Sequence, residues 1–239
     1  MERSVDGSRL PNARVIGFVY LLYFLTALLG GSLTNRVVVA VDPAATATNI
    51  LAHEATYRAG FAMGRVGNVI YIALTGLFYR LFKPVNRTVS LLMAFFGLVG
   101  CTTQIVAGVL QLAPLVILRD SQLLGAFSVE QLRAAALVSL RIYLQTFYIS
   151  FVLFALFDFL LGYLIIKSTF LPRIFGVLMM VAGVGAMTFL WPPLAIAVKS
   201  VVLLVGGLAE VVLMLWLMVK GVNVSRWREE PGAVQNGGA

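Results

Sequence analysis

Near the end of the chain, the twenty-residue run Ser200 to Val219, SVVLLVGGLAEVVLMLWLMV, carries a single ionisable group. As a helix it is about 30 Å long, one hydrocarbon thickness, so it is read as a membrane-crossing segment. Its one acid, Glu210, lies roughly 15 Å from the closing Lys220 and hence close to the bilayer midplane. An ionised carboxylate there is unfavourable against lipid and normally faces protein or a watery cavity. At about 100° per residue, Lys199, Leu203, Gly206, Glu210 and Leu217 share one face of the helix, and Gly206 invites a second backbone close. Glu210 is therefore expected to point into a helix bundle.

Composition narrows the class further. Of 239 residues, 60% are apolar and 12% charged, and the mean hydropathy is +0.95, outside the range of soluble globular chains. The net charge of +8 comes from 18 Lys and Arg scattered at the ends of apolar runs. That pattern orients spans in a membrane and forms no nucleic-acid patch, so nucleic acid is not an expected partner. Cys101 and His53 are the sole cysteine and histidine. Disulfides, Cys/His zinc sites and paired-histidine haem ligation within one chain are thus excluded, and neither cofactor nor metal is expected. No HExxH, no nucleophile elbow and no glycine loop beside a lysine occurs, so an enzyme is not the favoured class.

Taken in order, residues 1–13 read as a disordered cytoplasmic tail, with Arg3, Arg9 and Arg14 before or at the first apolar run, Val15 to Leu33. A cleaved leader is the alternative, since Val38 and Ala40 could mark a cleavage site. The run is longer than a usual leader core, however, and Asn35-Arg36 intervenes. Thr34 to Gly60 is the longest link able to lie outside the membrane. Its AATATNILAHEATYR predicts a short helix over 44–58 on the outer surface, capped by Thr46 or Thr48. Asp42, Asn49, His53, Glu54 and Arg58 there form a candidate outer-face motif, either a small site at the membrane face or the solvated side of an interfacial helix.

The second span, 61–82, holds Arg65 a little more than one turn inside, with Asn68, Ile72, Gly76 and Tyr79 following on the same side. Arg65 is read as snorkelling outward. A basic turn, Arg80 to Arg87, leads to a third span over 88–118 that has no charge. Gly97, Gly100, Gln104, Gly108 and Gln111 line one of its faces, a packing surface first and a pathway only if other polar stripes meet it. Ser128-Val-Glu130-Gln131 opens an amphipathic helix that leads without a break into the fourth span, 142–166. Asp158 lies within that span, about 13 Å from Lys167, flanked on its own face by Ala155 and Gly162. A second basic turn, KSTFLPR, precedes a fifth span over 174–190, which Trp191-Pro192-Pro193 stops. Residues 222–239 are polar and Gly-rich and read as a second disordered cytoplasmic tail. The expected fold class is all-α, a polytopic transmembrane bundle of six helices over 14–221 with a short extracytoplasmic interfacial helix between spans one and two. The two shortest links are basic, which places them and both termini in the cytoplasm.

Four strings, DPAATATNILAHEATYRAG, YRLFKPVN, GYLIIKSTFLPRIFGVL and the closing E-x5-WL-x2-KG from Glu210 to Gly221, together resemble the bacterial multi-pass membrane family DUF4386, a domain of unknown function. The resemblance runs in order from the first span to the last. It implies a bacterial inner-membrane protein and carries no activity with it. Asp42, Thr46, Asn49, Glu54 and Arg58 match the family's outer motif, Phe170, Leu171, Pro172 and Arg173 its inner turn, and Glu210 the acid of its closing helix. Asp158 and Arg65 depart from it: relatives tend to be uncharged at the first position, and some carry an acid at the second. A role for Asp158 would thus belong to this chain rather than to the whole family.

Glu210, Asp158, Asn68, Arg65 and Gln104 make up the candidate intramembrane polar site. Measured from the closing basic residue of each span, Glu210, Asp158 and Asn68 lie at about 15, 13 and 18 Å, and Arg65 at about 22 Å. Two classes of function fit. One is a non-catalytic accessory, scaffold or sensing component of the membrane. The other is a small proton- or cation-coupled transporter that uses its midplane carboxylates. Short links and the lack of a convincing internal repeat leave little room for alternating access, which favours the first. The expected partners are the lipid bilayer and either another membrane protein or a second copy of the chain.

Overall fold

A computed structural model describes residues 12–39, 42–120 and 125–234. Over these residues the chain forms α1 (Ala13–Asn35), α2 (Pro43–Ala52), α3 (Glu54–Phe82), α4 (Arg87–Arg119), α5 (Val129–Lys167), α6 (Arg173–Ala186) with a 3-10 extension (Met187–Leu190), α7 (Pro192–Val219), α8 (Val224–Arg228) and α9 (Pro231–Val234). No strand occurs among the described residues. Six segments, α1, α3, α4, α5, α6 with its extension, and α7, are long and apolar enough to cross a membrane. Large apolar side chains such as Val109, Leu190 and Ile196 are largely exposed. In water they would be an aggregation surface, whereas facing hydrocarbon they are ordinary. The protein is a multi-pass, all-α membrane protein, as its sequence indicates.

The helices run past the apolar spans because a helix, once begun, needs only a cap to define its end. Ser128 and Gln131 make a reciprocal capping box that starts α5, with Gln131 N–H donating to Ser128 Oγ at 3.3 Å and Ser128 N–H to Gln131 Oε1 at 2.8 Å. At the outer link the expected cap was misplaced. Asp42, not Thr46 or Thr48, caps α2, accepting from Ala45 N–H at 2.9 Å. Pro43 at the first helical position holds Asp42 extended, the geometry an N-cap needs. Thr46 is instead buried, its hydroxyl donating to Val39 O at 2.7 Å and accepting from Val39 N–H at 3.0 Å. The single helix expected over 44–58 is also divided. His53 leaves helical geometry at φ −121°, ψ 39°, and Glu54 to Arg58 already belong to α3.

The chain packs as two compact units, the first made of Met1–Leu21, Tyr71–Gly100 and Phe151–Ala239, the second of Leu22–Ile70 and Cys101–Ser150. In the first, aromatic rings form a continuous path. Tyr20 meets Phe78 edge-on at 5.9 Å, Phe78 meets Phe157 at 6.2 Å, and Phe82 meets Phe170 at 5.6 Å. Small residues let backbones touch beside this path. A Cβ built on Gly162 of α5 would lie 2.5 Å from Gly176 O and 2.8 Å from Met180 N of α6, and one on Gly183 of α6 would lie 2.6 Å from Ala155 O. The glycine stripe of α4 is packing surface in this unit, Gly97 against Thr75 and Phe157, Gly100 against the Phe154 ring. Gly206 of α7, by contrast, meets only Ala182 Cβ, at an ordinary 3.9 Å, so the close backbone contact expected there is absent.

The described part of the closing segment, 222–234, corrects the expectation of a disordered tail. Asn223 caps α8 by accepting from Arg226 N–H at 3.1 Å, and the Trp227 indole is buried, its N–H donating to Leu81 O at 2.9 Å. That carbonyl is one of the orphan acceptors that end α3. Gly232 N–H donates to Pro84 O at 3.1 Å, and Glu230 accepts from Thr169 N–H and hydroxyl at 2.9 and 2.8 Å. A polar, Gly-rich composition concealed these anchors, each of which depends on one residue.

In the second unit α1 and α3 meet through glycines that sequence reading passed over. A Cβ on Gly30 would lie 2.9 Å from Gly64 N, and one on Gly60 would lie 3.0 Å from Thr34 N. Val37, Ile50, Tyr57, Leu115 and Leu140 form a buried apolar core. Pro114 lies inside α4, and one turn before it the Tyr57 hydroxyl of α3 donates to the Gln111 carbonyl.

Candidate functional site

Of the five residues proposed for an intramembrane polar site, the first unit holds two. Asp158 is buried on α5, and Glu210, on α7 beside the buried Ala209 and Leu213, is partly buried. The two carboxyl groups lie within Coulombic reach of each other. A third helix completes the group, for the Tyr20 side chain of α1 is hydrogen-bonded to Glu210. Local packing explains the convergence. Ala155 and Gly162 bracket Asp158 by about one turn on either side and are where α6 seats on α5. Gly17, one turn from Tyr20, seats α1 on α7, since a Cβ there would lie 2.6 Å from Met218 N. Tyr20 is not marked in the sequence, because a phenol within an apolar run is compatible with ordinary ring packing and carries no charge to demand a partner. A hydroxyl-bearing aromatic one turn from a glycine was the available signal.

Arg65, Gln104 and Asn68 belong to the second unit. Arg65 does not snorkel outward. Its guanidinium donates to the Gln104 carbonyl, hydrogen-bonds with the Tyr143 side chain and lies over the Phe61 ring at 5.3 Å from the centroid. Gly108 leaves the space for it, because a Cβ there would lie 2.7 Å from Arg65 Nη1. The carbonyl, phenol and ring supply inside the unit what water would supply outside. Asn68 Nδ2, Gln111 Oε1 and Arg65 Nε are buried without a hydrogen-bond partner among the described residues.

The outer-face motif separates into local tasks. Asp42 caps α2, Asn49 O accepts from His53 N–H at 2.8 Å where that helix stops, and His53 itself is exposed. Glu54 pairs with Arg58 Nε at 2.7 Å and also with Arg119 of α4. Both arginines are largely exposed, so these pairs contribute little to stability and serve to join the starts and ends of helices. Among the described residues no group of three or more His, Cys, Asp or Glu is placed to hold a metal ion. The chemistry within reach of the Asp158, Glu210 and Tyr20 cluster is the binding of a proton or a small cation, since it offers negative charge and oxygen ligands and no nucleophile with a base.

No curated protein and no solved structure matches the chain. A family model does match, over residues 15–221 and so from the start of the first span to the end of the last, and by that match the protein belongs to the family described as Domain of unknown function (DUF4386).

Proposed function

We propose that this protein is a non-catalytic sensing component of the bacterial inner membrane that responds to protonation of the Asp158–Glu210 pair. The observation that carries the proposal is the meeting of two carboxyl groups and a phenol from three helices, α5, α7 and α1. A proton taken up there removes a repulsion between α5 and α7 and changes the hydrogen bond to Tyr20, so the packing of three spans is coupled to the proton. The alternative is a proton- or cation-coupled transporter built on the same pair. The glycine contacts of α5 with α6 next to Asp158 favour sensing, because they lock those two helices rather than leaving them free to rock.

Carbodiimide, which reacts with protonated carboxyls, is expected to label the purified protein less as pH rises, and labelling should fall sharply in Glu210→Gln. Labelling indifferent to pH and to both Glu210→Gln and Asp158→Asn would sink the proposal. A proton flux in proteoliposomes that disappears in Glu210→Gln would replace sensing by transport. The proposed orientation has both termini in the cytoplasm, on the strength of the two basic links. Reporter fusions at Pro84 and Thr169 are expected to read cytoplasmic and one at Thr48 external; an external signal at Pro84 reverses the arrangement.

A further inference from the structure

A cavity of about 380 Å³ opens in the first unit between the turn after α5 and the end of α7. Its lining includes the apolar residues Leu171, Pro172 and Trp216 together with Lys220, Asn223 and Arg226. The shape is built rather than incidental. Gly221, at φ 70°, turns the chain out of α7 in a conformation that favours glycine, and Asn223 N–H then donates to Phe170 O at 3.2 Å. Trp216 is braced by Phe175, ring centroids 5.1 Å apart, and Arg226 Nη1 donates to Thr169 O at 3.3 Å. Neither Lys220 nor Arg226 forms an ion pair with a described residue. Glu230, the acid on this turn, is absent from the lining and is engaged by Thr169.

The geometry points to a binding site for the phosphate of an anionic phospholipid. The cavity sits at the ends of two membrane-length helices, the depth at which headgroups lie, and a tryptophan beside two cations is the arrangement such an interface favours. Lys220 and Arg226 complement the phosphate charge, Arg226 with a planar fork that suits its oxygens. Leu171, Pro172 and Trp216 complement the glycerol and first acyl carbons, which a free phosphate lacks. This inference is independent of the carboxyl pair, since the cavity contains neither Asp158 nor Glu210.

The test is thermal stabilisation and native mass spectrometry of the full chain in detergent, titrated with phosphatidylglycerol, with phosphatidylcholine and with inorganic phosphate. Phosphatidylglycerol is expected to bind and stabilise, and the other two to do neither. At about fivefold per basic residue near a membrane surface, the double variant Lys220→Gln, Arg226→Gln should bind roughly thirtyfold more weakly. Both side chains are exposed, so the variant is expected to fold. Lys83→Gln with Arg87→Gln, outside the cavity, should leave binding unchanged. Equal loss in that control would mean general attraction to basic surface and would overturn the site. Binding kept in the double variant would do so too, and stabilisation by inorganic phosphate alone would overturn the lipid as its source.

Discussion

Truncating Trp227 to alanine is expected to lower stability by about 3–5 kcal/mol, the range for removing a large buried aromatic. The side chain is 3% exposed, although it lies in a short polar segment after the last span. Its loss would also free the Leu81 carbonyl at the end of α3 from the indole N–H. Trp227→Phe separates the two effects, keeping most of the ring and forfeiting the hydrogen bond, for about 1 kcal/mol. Thermal unfolding in detergent measures both. Limited proteolysis should show new cleavage between 222 and 234 in the alanine variant alone. A chain ending at Asn223 that melts at the wild-type temperature would show that the segment rests on the spans without holding them.

Gly162→Leu is expected to be as damaging. Overpacking usually destabilises by about 1–3 kcal/mol, and this position should reach or exceed the top of that range. The obstacle is Gly176 O at 2.5 Å and Met180 N at 2.8 Å, backbone atoms that cannot rotate aside. With Asp158 about one turn away, the same change should disturb the carbodiimide labelling of the carboxyl pair. Gly76→Ala provides the contrast, because nothing lies within 4 Å of the added Cβ. It should be neutral or stabilise by up to about 1 kcal/mol through helix propensity. Equal melting temperatures for Gly162→Leu and Gly76→Ala would refute the close contact of α5 with α6.

The sequence by itself determined the class, the number of spans and much of their punctuation. Hydrocarbon thickness demands about twenty apolar residues, so runs such as Ser200 to Val219 admit one interpretation. The Ser128–Gln131 box and the Trp191-Pro192-Pro193 stop are local chemistry that no distant residue can overrule. Depth along a helix was legible for the same reason, since 1.5 Å per residue placed Asp158 and Glu210 at similar levels. Azimuth was legible only in part. The small-residue faces around Asp158 and along α4 meet neighbouring helices at Gly162, Gly97 and Gly100, as expected, whereas α7, apolar nearly all round, carries no stripe to say which side faces inward, so its close contact fell at Gly17 of α1 and not at Gly206. Tyr20 joining Glu210, Arg65 turning inward to Gln104, and Trp227 reaching Leu81 each join residues far apart in the chain. Only the tertiary structure decided them, because each depends on where a neighbouring helix leaves room for a side chain and on which backbone carbonyl or carboxylate it finds there.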